Sequence, residues 1–208
     1  MESSSSTREV AILKCPGSVN WGPIYMKYFS DLSAKLRCTI NLTVLDVTDI
    51  NGMNKSIAAN SFSSYIITGC ESDAFDNLDW ILNMMAVIKQ VHMEGKTLIG
   101  ICFGHQIIGR VFGGSVSRND NGWGLGPRSI DLCDDGRGYL QELLDEYAAL
   151  KMDSINYGSE ILPASLTLHY VHADVVSSYP VSWLRNIGGN EHCSVGGFFA
   201  PAKGIQGT

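Results

Sequence analysis

Apolar and polar positions alternate in a repeating order along the first half of the chain. Residues 9–15 are apolar through Val10-Ala11-Ile12-Leu13 and predict a strand. In residues 21–37, Ile24, Tyr28, Leu32 and Leu36 recur near the 3.6 period, which predicts a helix with that face inward. Residues 40–47 alternate like a strand, and residues 51–60 are polar and predict a loop. Residues 62–68 form a second apolar run that stops at Gly69. Residues 77–92 carry Trp80, Ile81, Met84, Val87, Ile88 and Val91 on one face, a strong helical signal with Asn77 or Asp76 as its cap. Met84 and Met85 read as core filler. Gly95-Lys96 ends that helix, residues 97–101 predict a short buried strand, and residues 103–112 resume helical spacing. This alternation predicts an α/β fold: three layers, with a mostly parallel central sheet covered by helices on both faces.

The pattern changes after Gly113. Residues 115–118, 128–132, 167–171, 194–200 and 203–206 are short strand-like runs split by Gly, Pro and Asn. Only residues 139–150 look helical, and the segment Gly188-Gly189-Asn190-Glu191-His192 reads as a turn between strands. The second half is therefore expected to add a small antiparallel portion.

Composition narrows the class. The chain has 208 residues, enough for one sizeable core, with residues 1–8 as a flexible tail and residues 9–208 as the domain. Fifteen Lys and Arg against 21 Asp and Glu give a net charge of −6. That balance argues against a nucleic-acid partner, which needs a basic face. No window approaches the ~18 consecutive apolar residues of a membrane span. The polar N-terminus lacks the apolar core of a secretory signal, so a cytosolic location is expected. The six cysteines are widely spaced, with no pair or Cys/His cluster at metal-binding spacing; no metal or other cofactor is expected, and free thiols suit a reducing cytosol.

One segment carries chemistry: Thr97-Leu98-Ile99-Gly100-Ile101-Cys102-Phe103-Gly104-His105-Gln106. A buried strand runs into Cys102 and a helix starts directly after it, with Gly two residues before and two after. This is the Cys counterpart of the G-x-S-x-G nucleophile elbow. The small residues allow strand and helix to pack closely around a strained turn. The turn puts the thiol at a helix N-terminus, where the dipole favours thiolate, and it aims the Phe103 N–H at the oxygen of an attacked carbonyl. Helical geometry turns His105 away from the sulfur and gives it a structural role. The weaker signals are discounted: Gly122-x-Gly124-x-Gly126 lacks dinucleotide-loop spacing, and Glu142, Asp145 and Glu146 read as a solvated helix face.

Gly100–Gln106 resembles the nucleophile motif of the class I, triad-type glutamine amidotransferases. Collinear matches support the resemblance. Tyr65-Ile66-Ile67-Thr68-Gly69-Cys70 resembles the family's strand and oxyanion loop, with Cys70 and Glu71 replacing the usual Gly and Pro. Gly113–Asn119 with Gly122–Gly126, and His172-Ala173-Asp174-Val175-Val176, resemble two further segments. Ser72–Asn77 followed by Asp79-Trp80-Ile81 is similar to stand-alone members, among them plant γ-glutamyl peptidases and fungal relatives. The resemblance implies a flavodoxin-like glutaminase fold and no cofactor. It implies Cys102 as nucleophile and the N–H groups of Phe103 and Cys70 as oxyanion donors. Gly69, Gln106, His172 and Asp174 then stand on the substrate side, with His172 and Asp174 in a pocket loop. The substrate is a small γ-glutamyl amide, cleaved through a γ-glutamyl thioester.

The family's base and its orienting acid are a His and a Glu in a Gln-x-His-Pro-Glu motif. Gly204-Ile205-Gln206-Gly207 fits the approach to it, and Thr208 falls at the position of the His. A Thr hydroxyl is no general base near neutral pH. The expectation is a chain missing its C-terminal end, or a natural variant, impaired in turnover in either case. Three functions follow: a γ-glutamyl hydrolase, a glutaminase subunit supplying ammonia to a separate synthase, or a non-catalytic regulatory homologue.

Overall fold

The computed structural model describes residues 7–17, 21–36, 38–150, 162–179 and 182–200. They divide into two units, Met1–Val111 and Phe112–Thr208. No described helix is long and apolar enough to cross a membrane.

The first unit grows around a continuous apolar strand. Val10, Ala11, Ile12 and Leu13 of β1 (Thr7–Lys14) are all buried, which requires cover on both faces of the sheet. Around β1 stand β2 (Thr39–Asp46), β3 (Ser64–Ile67) and β4 (Thr97–Gly100) in the order β2-β1-β3-β4, every pair parallel. The connections are helical: α1 (Trp21–Leu36), α2 (Ile50–Ala59) and α3 (Asp79–Met93), with α4 (Phe103–Val111) after β4. Right-handed crossovers put α1 on one face and α2 and α3 on the other. The predicted α/β architecture is therefore observed.

Three details of this unit differ from the sequence pattern. The expected loop at 51–60 is the helix α2. Asp49 caps it, its Oδ1 accepting the Gly52 N–H at 3.0 Å, and Met53 alone is fully buried. One anchor and one cap leave no apolar period to read. The inward face of α1 is rotated by one residue: Gly22 is buried and Tyr25, Phe29 and Leu32 are part-buried, while Ile24 and Tyr28 are 53% and 61% exposed. Two apolar stripes run side by side on this helix, and the one bearing Tyr25 and Phe29 faces the sheet. The N-cap of α3 is Leu78, without a side-chain bond, rather than Asn77 or Asp76. Both of those residues instead accept hydrogen bonds from Arg110. The apolar face of α3 is as predicted, with Ile81, Met84, Val87, Ile88 and Val91 buried.

The described strands of the second unit all pair antiparallel, in a four-stranded sheet and a two-stranded ladder, so the antiparallel portion is larger than predicted. β6 (Gly124–Leu132), β7 (Ser165–His172), β9 (Arg185–Gly189) and β10 (Gly197–Phe199) form a sheet in the order β10-β9-β6-β7. β5 (Ser115–Arg118) pairs with β8 (Asp174–Ser178). Ile130, Leu132, Tyr170 and Cys193 make its buried core. β9 was not legible, because its Gly188 and Gly189 carry no side chain to alternate. Helix α5 (Asp134–Leu150) starts five residues before the predicted 139. Its first turn holds Asp134 and Asp135, favourable charges at a helix N-terminus, and the Cys133 thiol accepts the Gly136 N–H. Gly136 lets α5 press onto β9, where a Cβ would come within 1.9 Å of the Ile187 carbonyl oxygen. The strand predicted at 203–206 lies outside the described residues.

Because α2 rests on its cap and one anchor, Asp49→Ala should cost about 1 kcal/mol of stability. Urea denaturation followed by circular dichroism checks this. An unchanged midpoint would show that the cap holds nothing.

Candidate active site

The turn from β4 into α4 is fixed by close contacts on both sides of Cys102. The Ile101 N–H donates to the Ile67 carbonyl of β3 at 3.0 Å, and the Gly104 N–H returns to the Ile101 carbonyl at 2.9 Å. A Cβ at Gly100 would meet the Gly104 carbonyl at 2.4 Å, and one at Gly104 would meet the Ile67 oxygen at 2.4 Å. Neither site tolerates a side chain. The chain reverses within one residue, and Cys102 adopts φ 55°, the positive φ of a non-glycine residue that is found nowhere else among the described residues. Such a conformation costs on the order of 1–3 kcal/mol and persists only where packing over-determines it. Here it presents an exposed thiol at the start of α4. The predicted elbow is thus present in its geometry.

Unit 1 also holds the sequence candidates Gly69, Cys70, Phe103 and Gln106. A Cβ on Gly69 would lie 3.3 Å from the Cys102 Cβ and 3.8 Å from its Sγ, so the backbone after β3 passes directly against the thiol. Cys70 follows it. Phe103 is buried against Trp80, ring centroids 5.5 Å apart, and its N–H, first in the helix, has no acceptor within α4. Gln106 is buried one turn further on, with its N–H on the Cys102 carbonyl at 3.1 Å. Tyr25 of α1 is held above the ordinary phenol range, first by burial and then by the nearby thiols of Cys15 and Cys102.

The sequence did not single out Arg110. From α4 its guanidinium donates to the carbonyls of Ala74 and Asp76 at 2.8 and 2.6 Å, and to Asn77 Oδ1 at 2.6 Å. It ties the segment that follows Gly69-Cys70 to the helix that carries the thiol. The i+8 spacing from Cys102 puts it two helical turns away, and only its position in a helix hints at the role.

His172 and Asp174 lie in unit 2. They are not in a loop, as expected, but at the end of β7 and the start of β8, with Ala173 alone between the strands. Asp174 is buried and pairs with Arg118, its partner across the β5–β8 ladder, at 3.0 Å. His172 Nδ1 lies 3.0 Å from the Asp174 carbonyl oxygen, and its ring packs on Tyr170 at 4.5 Å and near His192 at 6.2 Å. Buried Asn119 joins the turns: its N–H donates to Ala173 and its side-chain amide to His192, both at carbonyls. Gly124 makes room, since a Cβ there would lie 2.9 Å from both Tyr170 and His192. Within the Gly122–Gly126 run, Gly124 serves this packing, while Gly122 and Gly126 take positive φ at 74° and 80°. Thr208 lies outside the described residues. Among the described residues, no cluster of three or more His, Cys, Asp or Glu side chains could hold a metal ion.

Residues 27–176 match the family described as glutamine amidotransferase class-I. The chain therefore belongs to that family, as the elbow sequence had indicated. It is similar to gamma-glutamyl peptidase 3 of Arabidopsis thaliana, 33% identical over 139 residues that make up 65% of this chain and 49% of that protein. The chain spans about half the length of the curated relatives it matches. Among solved structures it is similar to a glutamine amidotransferase from Thermotoga maritima, with 15% identity, a TM-score of 0.64, and coverage of 93% of this chain and 71% of that one. It also resembles the glutaminase domain of Trypanosoma brucei CTP synthase, with 11% identity, a TM-score of 0.53, and coverage of 81% and 68%.

Burial first, then the charge of His192, hold His172 below its ordinary 6.5, against the raising effect of its hydrogen bond to the Asp174 carbonyl. The unfolded chain then takes up this proton before the folded one does. The contribution to stability is complete above about pH 6.5 and is lost as pH falls through the folded pKa. Melting curves between pH 7.5 and 5.5 should fall more steeply for the wild type than for His172→Gln. Parallel curves would contradict this.

Proposed function

We propose that this domain cleaves γ-glutamyl amide bonds through a thioester on Cys102. The left-handed elbow carries the reading, because it exposes one thiol at a helix N-terminus with the Gly69 backbone against it. The Cys102 thiolate adds to the γ-carbonyl. The N–H groups of Phe103 and Cys70 hold the oxyanion, a contribution of about 3 kcal/mol per donor in comparable sites. The C–N bond breaks, the amine leaves with a proton, and water hydrolyses the γ-glutamyl thioester. Gln106, buried one turn beyond Cys102, serves the glutamyl group. In the family pattern the His that handles the proton falls at position 208, where this sequence has Thr, so the nucleophile and the oxyanion donors are the parts of the machinery these residues supply. The similarity to plant gamma-glutamyl peptidases favours a γ-glutamyl peptide over free glutamine as substrate.

None of the six cysteines is in a disulfide, which suits thiol chemistry in a reducing cytosol. Ammonia delivery to a synthase is a second reading, prompted by the shared fold of a CTP synthase glutaminase domain. Ammonia release that appears only with a partner would favour it.

A diazo-ketone analogue of glutamine should alkylate Cys102 and leave the other five cysteines free. Cys102→Ser should lose both labelling and any glutamate release from γ-glutamyl peptides, by on the order of a thousandfold or more. Labelling at another residue, or glutamate release that survives Cys102→Ser, would refute the proposal.

A further inference from the structure

Two thiols beside this site have no part in the chemistry above as thiols. Cys15 directly follows β1, and Cys70 lies three residues beyond β3. The two strands pair in parallel with Leu13 opposite Ile67, and continuing that register puts Cys15 beside Gly69 and next to Cys70. Neighbouring strands stand about 4.8 Å apart, within the Cα separations of roughly 4.4–6.8 Å that a disulfide spans. The strand ends are pinned together by the Cys15 N–H on Thr68 Oγ1 at 3.0 Å. The turn after Cys15 stays close, since a Cβ on Gly17 would lie 3.9 Å from the Cys70 Cα.

The Cys15 thiol donates to the Leu13 carbonyl and the Cys70 thiol to the Ser72 carbonyl, each at 3.9 Å, and the two sulfurs interact with each other. Cys15 is buried and Cys70 is partly exposed. The interaction with Cys70, chiefly, with burial next, pushes the Cys15 thiol up, so it keeps its proton. The same interaction, against burial, draws Cys70 below the ordinary thiol range. Cys70 is thus the accessible, thiolate-prone partner and Cys15 the shielded one. Access follows from topology. β1 leads through α1 to β2 on one side, while β3 leads through α3 to β4 on the other. Small solutes enter an open parallel sheet at the carboxyl ends of strands where the order reverses in this way.

We propose that Cys70 and Cys15 form a peroxide-sensitive dithiol, with Cys70 the oxidised residue and Cys15 the resolving one. The Cys70 thiolate attacks one oxygen of hydrogen peroxide; an S–O bond forms and the O–O bond breaks. Hydroxide leaves and takes up the proton that Cys70 had released, giving one water. The Cys15 sulfur then displaces hydroxide from the Cys70 sulfenic acid; an S–S bond forms and the S–O bond breaks. The Cys15 proton goes with it as the second water, so one peroxide is reduced as two thiols are oxidised. The disulfide draws Cys70 toward β1 and its N–H away from Cys102. That effect on activity rests on the proposed oxyanion role; the disulfide itself does not.

The full chain and its Cys102→Ser variant would be treated with hydrogen peroxide, denatured in a thiol-alkylating reagent, and digested without reduction for mass spectrometry. The expected result in both is a linked peptide pair containing Cys15 and Cys70, separated again by dithiothreitol. In Cys15→Ser, Cys70 should proceed to sulfinic acid. Cys15 recovered alkylated beside a sulfinic Cys70 in the wild type, or Cys70 linked to Cys102, would overturn the proposal. Diazo-ketone labelling of Cys102 should slow in the oxidised wild type. Unchanged labelling with the Cys15–Cys70 link formed would support the dithiol while counting against the oxyanion role of Cys70.

Discussion

The close approach of α4 to the ends of β3 and β4 is the constraint on which the site depends. Gly104 lies against the Ile67 carbonyl and Gly100 against the Gly104 carbonyl, at distances where a Cβ has no room. Those contacts force the chain to turn at Cys102, and the left-handed backbone there follows from them. The thiol is exposed because the helix is close, and the helix is close because two side chains are missing. The strain is carried by packing together with the backbone hydrogen bonds from Ile101 to Ile67 and from Gly104 to Ile101. Buried Phe103, Ile107 and Ile108 on α4 supply the apolar area that offsets it.

The segment after β3 depends on the same helix. Gly69 meets Cys102 directly, and Arg110 at the far end of α4 gathers three acceptors from residues 74–77. One helix therefore presents the thiol and anchors the chain that passes it. Unit 2 uses a different device. A two-strand ladder fixes Asp174 against Arg118, and buried Asn119 holds the turns on either side of His172 and His192. Hydrogen bonds to backbone carbonyls and the Arg118–Asp174 pair set the geometry there, where backbone hydrogen bonds act with close glycine contacts around Cys102.

These different devices explain what the sequence made legible. The elbow is encoded within seven residues, Gly100–Gln106, by a steric requirement that only glycine meets, so it can be read locally. The parallel strands β1 and β3 are equally plain, because strands covered on both faces need unbroken apolar runs. The helix α2 was invisible because Met53 is its single fully buried side chain, and a period needs more than one. The inward stripe of α1 was misjudged because its two apolar stripes differ by one residue, and only the sheet decides between them. Asn77 reads as a helix cap in isolation, yet a residue thirty-three positions away claims its oxygen. The approach of Cys15 to Cys70 has no local signal either: it depends on the β1–β3 register, which spans more than fifty residues.

The most direct measurement is rapid acid quenching of the full chain with a chromogenic γ-glutamyl anilide, followed by intact-mass and peptide mass spectrometry. A γ-glutamyl adduct on Cys102 that hydroxylamine removes is the predicted result. An adduct on another residue, or anilide cleavage with Cys102 never acylated, would contradict the account.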